Sequence, residues 1–130
     1  MKQLKTIDQL KEIFPKVNGI DVALLYGSYG RNEGNPNSDI DIQLLVDADF
    51  QNKDLINVLK KEFENEIQYI SEVGLRNKVV VYFKTQPKAE FGICKSLDEI
   101  NRNYLGSEIT DIANTILYTN NSWQGKIETY

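Results

Sequence analysis

The stretch Leu25 to Leu45, LYGSYGRNEGNPNSDIDIQLL, decides how this chain is read. It is entered from Ile20 to Tyr26 (IDVALLY), a short apolar run rich in strand formers. That run predicts a buried strand ending at Gly27. Gly27 to Ser38 is turn chemistry throughout. Asp39 to Val46 (DIDIQLLV) begins in strict alternation and ends apolar, which predicts a second strand. Residues i and i+2 of a strand share a face, so Asp39 and Asp41 project together while Ile40 and Ile42 pack opposite.

Two carboxylates side by side repel, and the arrangement is costly unless a cation lies between them. Oxygen ligands without imidazole or thiolate suit Mg²⁺ or Mn²⁺, and Mg²⁺ commonly combines one or two carboxylates with substrate phosphates. The Gly27-Ser28 corner supplies the complementary part. Glycine permits close backbone approach. Exposed backbone N–H groups and the Ser28 hydroxyl can hold phosphate oxygens. Arg31, three residues on, can reach the same oxygens with its fork of donors. A bare Asp-x-Asp or Gly-Ser is commonplace. Here both sit at strand ends with a Gly-rich loop between them, and that context carries the functional reading.

Outward from this stretch, Thr6-Ile7-Asp8-Gln9 reads as a capping box opening a helix that Pro15 ends. Val17-Asn18-Gly19 reads as a turn. Asn52 to Ile70 keeps helical spacing through Leu55, Val58, Leu59, Phe63, Ile67 and Ile70, with Gly74 just beyond its end. Lys78 to Phe83 and Ala89 to Cys94 predict a hairpin around Thr85 to Lys88. Ser96 to Glu99 is a second capping box, and Thr110 to Leu117 a further helix. Asp47 and Asp49 read as a turn and helix cap. Cys94 reads as a small buried hydrophobe. Lys78, Lys84, Lys88 and Lys95 read as solvated strand ends. The expectation is an α/β or α+β domain: a small mixed β-sheet with helices packed on one face. It spans residues 1–130 as one domain, with a core at about 20–95, a helical extension at about 96–118 and a polar tail at 119–130.

The 130 residues carry 15 Lys and Arg against 19 Asp and Glu, a net charge of −4. Such a chain is a poor match for long nucleic acid, whose phosphates need clustered Lys and Arg. A single nucleotide is not excluded, because metal ions can meet its charge. With no His, imidazole zinc sites and Ser-His relays are absent. The lone Cys94 cannot form an internal disulfide, which fits a reducing, cytoplasmic setting. No apolar run approaches the ~18 residues of a membrane helix, and the N-terminus lacks the apolar stretch of a secretory signal.

Gly27-Ser28, ten intervening residues and Asp39-x-Asp41 together resemble the signature of the DNA polymerase β-type nucleotidyltransferase superfamily. The wider string GSYGR…SDIDI is similar to its minimal and aminoglycoside-modifying members. The resemblance covers about residues 20 to 95 and implies the nucleotidyltransferase fold. It implies transfer of a nucleoside monophosphate, AMP from ATP, to a hydroxyl acceptor with release of pyrophosphate. It assigns Asp39 and Asp41 to the metals, and Gly27 and Ser28 to the triphosphate. The superfamily adds a third carboxylate from a neighbouring strand. Glu90 is the match here, although Glu for Asp departs from the polymerases. The alternative is an edge strand with Glu90 facing water. The acceptor, a small molecule or a protein, is not readable. A second resemblance, to the small antitoxin that binds a helical toxin, implies a protein partner and a weakly active or inactive site.

Overall fold

Ile20–Tyr26 (β1) and Ile40–Val46 (β2) form an antiparallel pair at the centre of the molecule, both as the sequence predicts. A computed structural model describes residues 2–26, 39–74, 77–96 and 116–120. Around the pair lie helix α1 (Lys2–Ile13), a 3₁₀ turn (Phe14–Lys16), helix α2 (Asn52–Glu62) and strands β3 (Ile67–Val73), β4 (Lys78–Phe83), β5 (Ala89–Cys94) and β6 (Ile116–Thr119). The strands make one mixed sheet in the order β3-β4-β5-β2-β1-β6. Among the described strands only β2 and β5 run parallel, joined by a crossover that includes α2.

Alternation sets the two faces. Ile40, Ile42, Leu44 and Val46 of β2, Val79 and Val81 of β4, and Ala89, Phe91 and Ile93 of β5 point to one side. There they meet Ile7, Leu10 and Ile13 of α1 and Leu55 and Leu59 of α2 in a single core. The helices thus pack on one face, as expected. Val22, Leu24, Leu45, Val80 and Cys94, on the other side, are also buried. Burial on both sides explains why β1 reads as a continuous apolar run.

Several local expectations are corrected. Thr6 is not an N-cap: α1 begins at Lys2, and the buried Thr6 hydroxyl exchanges hydrogen bonds with the Gln86 amide at 3.0–3.2 Å. The helix expected over residues 52–70 stops at Glu62. Asn65 takes a left-handed φ of 70°, which Asn tolerates better than most residues, and the chain turns into β3. Gly74 therefore follows a strand and accepts a hydrogen bond from Asn77 N–H in the β3–β4 turn. Ile116 and Leu117, read as the end of a helix, lie in β6, where Ile116 is the register partner of Leu24 on β1. Asp47 accepts from the Asp49 N–H, so the turn is present, but α2 has Gln51 at its N-cap without a side-chain cap. Residues 97–99 of the second expected capping box, residues 110–115 of the expected helix and the tail after Asn120 lie outside the described residues.

The turn between Val17 and Ile20 requires its glycine. Gly19 has φ +91°, and an added Cβ would lie 2.7 Å from the Phe50 Cα.

Candidate active site

The parallel β2–β5 ladder builds the site. Its register sets Ile40 beside Ala89, Asp41 beside Glu90, Ile42 beside Phe91 and Gln43 beside Gly92. Neighbouring strands lie about 4.8 Å apart, so the Asp41 and Glu90 side chains rise together from adjacent backbones. Ile40 and Ile42 pack into the core at 0% exposure, which forces Asp41 to the opposite face. Asp39 lies on that same face, one residue before β2. The Ile40 N–H donates to the Lys88 carbonyl at 3.0 Å, which extends the pairing towards Asp39.

Glu90 is not on an edge. β5 lies between β4 and β2, which removes the edge-strand reading. Glu90 is half-buried, and Asp41 likewise. Each outer acid has a lysine nearby: Lys78 Nζ lies 3.8 Å from Glu90 Oε1, and Lys88 Nζ lies 3.9 Å from Asp39 Oδ2. Contacts this long on partly exposed side chains contribute little stability.

The donor set on this face, three carboxylates without sulfur or imidazole, fits a hard divalent ion such as Mg²⁺ or Mn²⁺. Asp41 and Glu90 stand side by side. Even so, among the described residues no three acids or cysteines come close enough together to enclose a metal. Asp39 is the outlying member, its side chain 48% exposed and turned to Lys88.

Across the sheet, Tyr26 at the end of β1 is the register partner of Asp41. The last residue of β1 is therefore level with Asp41. Gly27, Ser28 and Arg31 themselves lie outside the described residues.

One polar residue escaped the sequence reading. Gln43 is 1% exposed, and its Nε2 donates to Asp41 Oδ1 at 3.4 Å. A lone amide within the apolar run IDIQLLV was the available signal.

The sequence matches the family described as Polymerase beta, Nucleotidyltransferase over residues 8–103, and the chain belongs to that family. The match takes in the second half of α1 and every strand from β1 to β5 of the mixed sheet described above. Among solved structures it is similar to the Cid1 poly(U) polymerase, in a structure described as revealing the mechanism of UTP selectivity with Mg and 3′-dATP bound. The TM-score is 0.46 at 18% identity, over 71% of this chain and 29% of that one. This chain therefore spans less than a third of that polymerase. No curated protein shows significant similarity to the sequence. No helix among the described residues is long and apolar enough to cross a membrane.

Proposed function

We propose that this nucleotidyltransferase moves a nucleoside monophosphate, AMP from ATP, onto a hydroxyl acceptor with release of pyrophosphate. The observation that supports this most is the level placement of Asp41 and Glu90 on β2 and β5, beside the last residue of β1. Asp39, Asp41 and Glu90 would hold Mg²⁺ or Mn²⁺. When bound, the metal supplies Lewis-acid charge to the reacting oxygens. Gly27 and Ser28 would orient the triphosphate through backbone N–H groups and a hydroxyl. Arg31 would grip a phosphate oxygen through two parallel donors. Glu90 would orient the acceptor hydroxyl. The hydroxyl oxygen attacks the α-phosphorus as its proton passes to the Glu90 carboxylate, the bond from the α-phosphorus to the bridging oxygen breaks, and pyrophosphate leaves with that electron pair. Positioning and charge supply the catalysis, with no covalent intermediate on the chain.

The acceptor is a small molecule or a partner protein; nucleotide identity and acceptor are the finer parts of this reading. The test is transfer from each α-labelled nucleoside triphosphate, with Mg²⁺, to a panel of small hydroxyl compounds and to protein acceptors. Label should move to an acceptor with wild type and not with Asp41→Asn. Equal transfer by Asp41→Asn would remove the carboxylate from the mechanism.

A further inference from the structure

We infer that Gln43 is a positioning residue for the Asp41 carboxylate, and that Gly92 exists to make room for it; the inference rests on the reading of Asp41 as a metal ligand. Gln43 follows Asp41 by two residues on β2, so both rise from the same face of the sheet. Its amide is buried and reaches back along the strand to Asp41 Oδ1. A carboxylate oxygen only accepts, so the amide nitrogen must face it. The other end of the amide agrees with that orientation: Gln43 Oε1 accepts from the Cys94 thiol at 3.5 Å.

The neighbouring strand is shaped around this amide. Gly92 is the register partner of Gln43, as Glu90 is of Asp41. A Cβ on Gly92 would overlap the Gln43 side-chain amide itself, both its oxygen and its nitrogen. The glycine is therefore required by a side chain and not by its own backbone angles. Reading the two strands together, Asp-x-Gln on β2 lies over Glu-x-Gly on β5. Gly92 makes room for Gln43, and Gln43 holds Asp41. A carboxylate held from below by a buried donor has one orientation, and groups that orient metal ligands in this way typically govern affinity as much as activity.

The alternative is that Gln43 is simply a buried amide satisfying itself. Mn²⁺ titration followed by electron paramagnetic resonance, with and without ATP, separates the two. Gln43→Met keeps the length and loses the donor. Gly92→Ala keeps Gln43 intact and pushes its amide aside, and this variant decides the matter should Gln43→Met fail to fold. Both should bind Mn²⁺ roughly tenfold or more weakly than wild type. In the transfer assay the apparent KM for metal should rise while kcat recovers at saturating metal. The double variant should be no weaker than the worse single one, because both act through one amide. Wild-type Mn²⁺ affinity in either folded variant overturns the positioning role, and the Asp41 reading survives if Asp41→Asn still loses binding. Wild-type affinity in Asp41→Asn removes the Asp41 reading and this inference with it.

Discussion

Asp41 on β2 and Glu90 on β5 are direct neighbours in the parallel pairing of the sheet, although 48 residues separate them in the chain. Nothing local to either residue places them together. The crossover through α2, β3 and β4 returns the chain so that two half-buried acids meet where β1 ends. Burying like charges side by side costs free energy, a cost that the proposed divalent ion would offset.

Glu90→Gln keeps the shape and removes the charge. Transfer should fall by about 10²–10⁴-fold, the range for loss of a positioned acid or base. The thermal midpoint should hold or rise, since one of two adjacent negative charges is gone. A folded Glu90→Gln with full turnover would leave Asp39 and Asp41 as the only acids in the mechanism.

Gly19→Ala should destabilise the domain by about 1–3 kcal/mol, measured by urea unfolding. The left-handed φ of 91° and the 2.7 Å approach to Phe50 Cα act together.

Asn65 provides a test of where α2 ends. Asn65→Val should cost about 1–2 kcal/mol, because a β-branched residue is forced to φ 70°. Asn65→Gly should be neutral or slightly stabilising. If residues 52–70 were one helix, the order would invert: Val would be tolerated and Gly would cost about 1 kcal/mol.

Thr6 and Gln9 separate a capping box from an interior contact. Thr6→Ala should lose about 1 kcal/mol with its hydrogen bonds to Gln86. Gln9→Ala should change stability by less than about 0.5 kcal/mol, because a half-exposed Gln inside a helix gives way readily to Ala. Equal losses at both positions would restore the cap.

Four of the six strands among the described residues were legible in the sequence. IDVALLY, DIDIQLLV and the KVVVYF–AEFGIC hairpin announced themselves by composition, and alternation alone set Asp39 and Asp41 on one face. What depends on long-range pairing was not legible. The interior position of β5, and with it the meeting of Glu90 and Asp41, follows from the crossover. β6 is four residues whose apolar pair fits a helix equally well until β1 claims it. The spacing of Phe63, Ile67 and Ile70 fits both a helix and a helix followed by a strand, and Asn65 arbitrates through its backbone angle. Gln43 stood in plain view as a polar residue in an apolar run, but its meaning needed Gly92 beside it.

The most direct test of the central claim is the anomalous scattering of Mn²⁺ in crystals grown with a non-hydrolysable ATP analogue. The account requires a peak within ligand distance of both the Asp41 and Glu90 carboxylates, with the triphosphate of the analogue against it. A fully occupied nucleotide with no manganese at those carboxylates, and Lys78 still on Glu90, would contradict it.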